Sequence, residues 1–211
     1  MITKLSGDGL WFTSDTHFNH NNILRFTSRP WSTIEEHDEA LIRNWNSVVG
    51  IDDTVFHLGD FTFGPPQKII EIREKLNGNI ILIKGNHDDK NIQRSLYGLF
   101  DDVLYQARIQ VEGRTVYLNH FPFLCFAHSN PHLYGDNYAI NLFGHVHSGP
   151  LSKGEDIGRL QYMFPTQYDV GVDNNNYTPV PWEKVKIIIN KQIEDAEELF
   201  ARWNSSNNIS G

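Results

Sequence analysis

The stretch "GLWFTSDTHFNHNN" (residues 9–22) decides how this chain folds, because an apolar run stops abruptly at polar side chains. The run "LWFTS" is short and rich in aromatic residues, which is typical of a buried strand. Asp15, His17 and His20 follow it closely. The sequence therefore places a carboxylate and two imidazoles directly after a predicted strand.

Four later apolar runs, "DTVFHLG", "NIILIKG", "TVYLN" and "YAINLFG", are also read as strands. They are followed in turn by Asp60, by Asn86, His87 and Asp88, by His120, and by His145 and His147. In open α/β sheets, ligands bind beyond the carboxyl ends of the strands. Carboxylate, amide and imidazole side chains are ligands of divalent manganese, iron and zinc. The five strand ends therefore predict a metal site.

Helical patterns alternate with the early strands. Thr33 and Glu36 form a capping box after Pro30, and a second helical pattern begins at the proline pair of residues 65 and 66. Such βαβα units predict parallel strands with helices packed against them. From Val103 onward, strands joined by short turns such as Glu112-Gly113 predict a second sheet, partly antiparallel.

The predicted fold is thus an α/β sandwich of two packed mixed β-sheets flanked by helices. A last helix follows Pro181 and carries Val185, Ile189 and Ile193 on one face, either continuous or broken near Asn190. The absence of a linker-like segment predicts one domain over residues 1–204, with a polar tail over residues 205–211.

The composition excludes several classes of protein. No apolar run approaches the ~20 residues that span a bilayer, so a membrane protein is not expected. The single cysteine, Cys125, excludes an internal disulfide framework and suits a reducing compartment. Met1 is not followed by a secretory signal pattern, and a cytoplasmic location is therefore expected. The net charge of −8 argues against duplex DNA as a partner.

The candidate ligands are too many for one tetrahedral ion and suit two ions that share a carboxylate. They are Asp15, His17, Asp60, Asn86, His120, His145 and His147. Two divalent ions can lower the pKa of a bridging water, so that hydroxide attacks a phosphoester near neutral pH. The neutral Asn86 preserves the positive charge that attracts a phosphoryl group. The residues alone therefore predict a phosphoester hydrolase.

The motifs "DTH", "GD", "GNHD", a lone histidine and "GHVH", in that order, resemble the signature of the calcineurin-like metallophosphoesterases. This resemblance implies a first metal ion held by Asp15, His17, Asp60 and His147, and a second held by Asp60, Asn86, His120 and His145. It also implies that His87 contacts the phosphate as a general acid, with Asp88 orienting His87 and raising its pKa. Manganese is the first choice of metal, with iron, zinc or nickel as alternatives.

A narrower resemblance concerns "DTHFNHNNI", "NHFP" and "VGVDNNNYTPV", which are similar to small bacterial and phage phosphoesterases. It suggests that His20 and Asn22 hydrogen-bond a phosphate oxygen, although a turn held by side-chain to backbone hydrogen bonds is an equal alternative. Arg25 and Arg29 either clamp a second phosphate or leaving group, or are simply solvated.

The remaining polar residues have plainer interpretations. His57 is expected to be a hydrogen-bonded core residue, and His37 an ordinary helix residue. His128 and His132 fit a surface loop better than a rim over the substrate. Asp173 either approaches the site, as the resemblance suggests, or belongs to a turn.

The substrate is the most open part of the prediction. A chain of 211 residues has little room for a protein-docking domain, which favours a small phosphodiester or a nucleotide. A nuclease acting on DNA or RNA is the second choice, weakened by the acidic balance, and a phosphomonoesterase is a further alternative. A metal-binding scaffold without catalysis is the non-enzymatic alternative. The sequence indicates neither a partner nor an oligomeric state.

Overall fold

A computed structural model describes residues 3–150 and 157–207, and their strands form two five-stranded sheets. The first sheet has the order β10 (Val180–Pro181), β2 (Leu10–Thr13), β3 (Thr54–His57), β4 (Asn79–Ile83) and β5 (Asp102–Leu104). The second has the order β1 (Thr3–Leu5), β6 (Gln106–Val111), β7 (Arg114–Asn119), β8 (Ile140–Phe143) and β9 (Gln167–Asp169). The predicted pair of sheets is confirmed.

Both sheets mix parallel and antiparallel strands. In the first sheet β2, β3, β4 and β5 are parallel, and only β10 runs antiparallel to its neighbour. In the second sheet β6 and β7 form an antiparallel hairpin, while the other pairs are parallel. The hairpin turns at Glu112 and Gly113, which have φ angles of +50° and +84°. Positive φ at both central residues is the geometry that matches the twist of the strands.

The α-helices of the described residues are α1 (Ile23–Phe26), α2 (Ile34–Val48), α3 (Pro66–Lys75), α4 (Asp88–Asn91), α5 (Pro131–Tyr134) and α6 (Trp182–Asn207). One half of the predicted capping box before α2 is present: the Glu36 backbone N–H donates to Thr33 Oγ1 at 3.2 Å, which satisfies one orphan donor of the helix. The Glu36 side chain accepts from the N–H of Ser32, the residue before the N-cap, at 3.1 Å. None of the helices in the described part of the chain is both long and apolar enough to cross a membrane.

The first sheet is covered on both faces, which explains its continuous apolar strands. One face packs against the second sheet through buried side chains such as Phe12, Leu58 and Leu118. The other face packs against α2 and α3, where Trp45 and Ile69 are buried. The two sheets are thus fixed against each other by an apolar core that holds their strand ends in place.

Helix α6 runs through Asn190 without a break and continues to Asn207, past the start of the predicted tail at residue 205. The Asn190 side-chain oxygen accepts a hydrogen bond from the Tyr138 hydroxyl at 3.1 Å. Val185 and Ile189 are buried against the core between the sheets, as their spacing predicts. Residues 208–211 of the predicted tail lie outside the described residues.

Candidate metal centre

The carboxyl ends of β2, β3, β4, β7 and β8 meet at one edge of the sandwich. Backbone hydrogen bonds join these ends: the Asp15 N–H donates to Gly59 O at 2.9 Å, and the Gly144 N–H donates to His120 O at 2.9 Å. The two sheets are linked by the His145 N–H, which donates to Asp15 Oδ2 at 2.9 Å. The convergence of strand ends expected from the sequence is therefore present.

Five of the predicted ligands form a tight cluster of side-chain atoms. His17 Nε2 lies 3.8 Å from Asp15 Oδ1 and 3.6 Å from Asp60 Oδ2. His120 Nε2 lies 3.6 Å from Asp60 Oδ2, and His147 Nε2 lies 3.8 Å from Asp15 Oδ1. These distances exceed those of hydrogen bonds, but they suit ligand atoms that share a cation.

Two of these atoms are buried polar groups with no hydrogen-bond partner, Asp15 Oδ1 and His17 Nε2. An unpaired buried polar atom costs about 1–3 kcal/mol, so a native structure seldom leaves one without a function. Asp15, His17 and His147 could hold one ion, and Asp15, Asp60 and His120 form a second group of the same kind. The residues present therefore fit divalent metal ions.

Asn86, His87 and His145 complete the cluster that the sequence predicts. Asn86 Oδ1 lies 3.0 Å from His120 Nε2. His87 is half-buried, with Nε2 3.8 Å from Asp60 Oδ2, and its backbone N–H donates to Asp60 Oδ1 at 3.0 Å. The His145 ring centroid is 5.1 Å from that of His120. The structure thus brings all seven candidate ligands and His87 together.

Asp88 does not have the contacts predicted for it. Its buried carboxylate accepts three backbone N–H groups, from Asp60 at 2.7 Å, Phe61 at 3.0 Å and Gly85 at 2.8 Å. Asp88 therefore ties together the loops after β3 and β4 instead of orienting the His87 ring. The predicted orienting role of Asp88 is therefore wrong. Burial lowers the pKa of His87, and the carboxylate of Asp15 opposes this shift.

Five of the candidate ligands have an unusual backbone conformation with positive φ, between +48° and +70°: Asp15, His17, Asp60, His145 and His147. Such conformations cost about 1 kcal/mol or more for residues with a side chain, and they concentrate at functional sites. The neighbouring glycines allow close packing, because a Cβ on Gly85 would overlap the Asp60 carboxylate and one on Gly144 would overlap that of Asp15. The backbone conformations of these loops therefore direct the candidate ligand side chains towards one another.

The charges of the cluster are unfavourable without a cation. Burial, together with the nearby carboxylates of Asp15 and Asp88, raises the pKa of Asp60 to about 8. Burial lowers the pKa of His120 to about 4, which keeps its imidazole neutral. Neutral imidazole and ionised carboxylate are the protonation states that bind metal. A cation would offset the repulsion between the buried carboxylates.

Of the residues predicted to contact substrate, His20 lies at the centre, whereas Asn22 and Arg25 lie at the surface. His20 is half-buried at the centre, with Nδ1 3.3 Å from His17 Nδ1 and its ring stacked on Phe63 at 3.9 Å between centroids. Asn22 and Arg25 are exposed at α1, and the Arg25 guanidinium lies 5.4 Å from the Phe26 ring centroid. His20 therefore contacts a candidate ligand, whereas Asn22 and Arg25 are surface residues.

Two residues near the centre, Arg29 and His37, have more contacts than their interpretation from the sequence predicts. Arg29 is buried, not solvated, and it pairs with Asp173 at 2.8 Å. Asp173 lies 2.7 Å from His147 Nδ1, so it approaches the site as the resemblance suggested. His37 is fully buried and contacts Arg29. No local sequence signal reveals this group, because Arg29 and Asp173 are 144 positions apart.

The other histidines follow their predictions. His57 is buried in β3, and its Nε2 lies 2.9 Å from Thr16 Oγ1, as expected for a hydrogen-bonded core residue. His128 and His132 are exposed near α5, and the His128 ring stacks on Tyr134 at 4.3 Å between centroids. A surface loop is therefore the correct interpretation for this segment.

Comparisons with known proteins agree with this geometry. The sequence profile of the calcineurin-like phosphoesterase superfamily domain matches residues 10–163, so the chain belongs to that superfamily, whose members are metal-binding hydrolases. An uncharacterized protein of Methanocaldococcus jannaschii is 31% identical over 189 residues, covering 86% of this chain and 92% of the relative. The gene 66 protein of Mycobacterium phage L5 is 34% identical over 174 residues, covering 72% of this chain and 83% of the relative.

A solved structure shows a similar fold. The crystal structure of a protein of unknown function from Aquifex aeolicus superposes with a TM-score of 0.63 at 26% identity. The match covers 85% of this chain and 98% of the Aquifex protein. The two-sheet architecture is therefore common to both proteins.

Proposed function

We propose that this phosphoesterase hydrolyses a small phosphodiester or nucleotide-type substrate at a centre of two divalent ions. The observation that carries this proposal is the position of Asp60. Its Oδ2 lies 3.6 Å from His17 Nε2 and 3.6 Å from His120 Nε2, between the two groups of ligands. One carboxylate oxygen that faces imidazoles on both sides is suited to bridging two ions.

Each ion would be held by four residues, with Asp60 in both sets. Asp15, His17 and His147 complete the first set, and Asn86, His120 and His145 complete the second. When bound, the two ions would activate a water as nucleophile and stabilise the negative charge that develops on the phosphoryl oxygens. The ligands are oxygen and nitrogen atoms without thiolate, which favours manganese and leaves iron, zinc or nickel as alternatives.

His87 is proposed as the residue that protonates the leaving oxygen. It is half-buried beside the carboxylate of Asp60, so one edge of its ring faces the centre and another part reaches solvent. Burial lowers its pKa in the free protein. A phosphate anion next to the imidazole would favour the charged form and raise the pKa again, so that a proton is available when substrate is bound.

An exposed aromatic ring beside the centre supports an ester with a planar group, such as a nucleotide. Phe121 is 43% exposed, and its ring centroid lies 4.6 Å from that of His145. Nucleobases and other planar groups stack on such a ring. The net charge of −8 does not favour a long polyanion.

The test is hydrolysis of bis-p-nitrophenyl phosphate and p-nitrophenyl phosphate with manganese, iron, nickel or zinc, each with and without chelator. We expect metal-dependent hydrolysis that prefers the diester. Inactivity with all four metals would refute the enzymatic proposal and favour the metal-binding scaffold. Faster cleavage of a single-stranded oligonucleotide than of either small ester would favour the nuclease.

A substitution of Phe121 tests whether a planar group of the substrate stacks on its ring. We expect Phe121→Ala to raise KM for bis-p-nitrophenyl phosphate about fivefold, the loss of about 1 kcal/mol of stacking, and to change KM for a dialkyl phosphate less. Leu124→Ala is the matched control, since Leu124 is 82% exposed on the same loop. Equal KM changes for aryl and alkyl esters would contradict the stacking role.

A further inference from the structure

A buried network centred on Arg29 lies behind the candidate metal centre. The Arg29 side chain is 0% exposed and forms a bidentate pair with Asp173, from Nε to Oδ1 at 2.9 Å and from Nη2 to Oδ2 at 2.8 Å. Asp173 Oδ2 also lies 2.7 Å from Nδ1 of the candidate ligand His147. The ion pair is therefore one contact away from a predicted metal position.

Arg29 also holds the segment that carries the first two candidate ligands. Its Nη2 donates to Asp15 O at 2.7 Å, and its Nη1 donates to Thr16 O at 2.9 Å. Asp15 and His17 have φ angles of +57° and +50°, so this segment lies in the left-handed region on both sides of Thr16. Hydrogen bonds to the two carbonyls keep the strained backbone in place.

The remaining contact of the Arg29 guanidinium leads through His37 and Asp38 to Asn19, in the loop after β2. Arg29 Nη1 donates to His37 Nε2 at 2.7 Å, so His37 must carry its hydrogen on Nδ1, which donates to Asp38 Oδ1 at 2.8 Å. The Asp38 carboxylate in turn accepts the Asn19 N–H at 2.9 Å. All three guanidinium nitrogens of Arg29 are thus engaged with protein groups, which removes Arg29 as a substrate clamp.

The contact with Asp173 determines which nitrogen of His147 is free. A carboxylate only accepts hydrogen bonds, so the hydrogen of a neutral His147 must lie on Nδ1. Nε2 then keeps its lone pair, and this atom lies 3.8 Å from Asp15 Oδ1 in the ligand cluster. Carboxylate partners of this kind orient histidine ligands and increase their basicity. By comparison, the partner of His120 Nδ1 is a backbone carbonyl, Leu58 O at 2.8 Å.

We propose that Arg29 and Asp173 are positioning residues that fix His147 and Asp15 for one metal ion, the ion held by Asp15, His17 and His147. The inference rests on the metal binding of the proposed function, but not on its reaction. The pair contacts residues proposed for the first ion, at His147 Nδ1 and Asp15 O, whereas the residues proposed for the second ion alone, Asn86, His120 and His145, follow β4, β7 and β8. Replacing Arg29 and Asp173 should therefore weaken the binding of the first ion more than that of the second.

The experiment measures Mn²⁺ affinity and stoichiometry by equilibrium dialysis of the full chain. The double variant Arg29→Met, Asp173→Leu removes both charges together, which avoids leaving one buried and unpaired. We expect it to bind one Mn²⁺ tightly and the other about 10–100-fold more weakly than the wild type. Asp173→Asn keeps the size of the side chain, and we expect it to weaken the same ion.

Arg73→Met is the matched control. Arg73 is a partly buried arginine whose guanidinium donates to three backbone carbonyls, of Leu99, Leu76 and Gly78, away from the centre. We expect Arg73→Met to lower Tm and to keep both Mn²⁺ affinities. Wild-type affinities for both ions in the double variant or in Asp173→Asn would overturn the proposal, as would equal losses in Arg73→Met. A wild type that binds two ions but hydrolyses no ester would refute only the proposed function.

Discussion

At the scale of single residues, the centre depends on conformations that a sequence pattern does not show. Asp15 and Asp60 follow their strands in sequence, yet both aim inward only because their backbones adopt φ angles of +57° and +54°. This conformation of Asp15 requires a glycine at position 144, since a Cβ on Gly144 would overlap the Asp15 carboxylate. Motif residues that do not themselves ligate are therefore needed for the geometry.

His87 provides the first prediction at this scale. We expect His87→Ala to lower kcat about 100-fold, because the leaving oxygen loses its proton donor, while two Mn²⁺ ions remain bound. Asp60→Ala should instead remove both ions, since Asp60 lies between the two ligand groups. Metal content by atomic absorption and kcat on the same preparations separate the two effects. The exposed His128 gives the control, His128→Ala. Equal metal loss in His87→Ala and Asp60→Ala would contradict separate roles.

At the scale of elements, the long and strongly patterned segments could be predicted from the sequence. Strands β2, β3, β4, β7 and β8 and helices α2, α3 and α6 lie where apolar runs, capping residues and prolines place them. The strand ends also indicated the candidate ligands, because ligand residue types follow apolar runs. Local order along the chain was sufficient for these inferences.

The elements that could not be predicted are short or depend on distant partners. Strands β1, β5, β9 and β10 contain only two or three residues, too few to show an alternating pattern. The burial of Arg29 depends on Asp173, which lies in a turn after β9 and meets Arg29 only in the folded chain. The partners of Asp88 are backbone N–H groups, which a sequence does not distinguish.

The start of α2 provides a prediction at the scale of elements. We expect Thr33→Ala to lower the free energy of unfolding by about 1 kcal/mol, because the Glu36 N–H loses its acceptor, Thr33 Oγ1. Thr33→Ser keeps the oxygen and should retain most of the stability. Urea denaturation measures the change, and Mn²⁺ affinity should stay the same in both variants. A loss in Thr33→Ser equal to that in Thr33→Ala would show that the hydroxyl cap is not the cause.

At the scale of the whole molecule, the centre is where the two sheets are joined. Asp15, after β2 of the first sheet, accepts the backbone N–H of His145, after β8 of the second. The same edge concentrates buried carboxylates, with Asp60 near both Asp15 and Asp88, and burial raises the pKa of Asp60 to about 8. Binding of cations here would therefore stabilise the packing of the sheets as well as create the site.

Metal removal tests this link between site and stability. Because the pKa of Asp60 is raised in the folded state, its ionisation destabilises the metal-free protein increasingly as pH rises from about 4 towards 8. At about pH 8 with chelator, we expect Asp60→Asn to raise Tm above that of the wild type, since the buried charge is gone and Asn Oδ1 can still accept the His87 N–H. With saturating Mn²⁺ the order should reverse, because only the wild type gains the binding energy of both ions.

Differential scanning calorimetry of both proteins with and without Mn²⁺ gives the four Tm values needed for this comparison. The exposed Asp52 supplies the control, and Asp52→Asn should leave Tm nearly unchanged in both conditions. If Asp60→Asn instead lowers Tm equally with and without Mn²⁺, the Asp60 carboxylate stabilises the fold through its hydrogen bond alone. The repulsion between buried carboxylates would then be too small to make the fold depend on the ions.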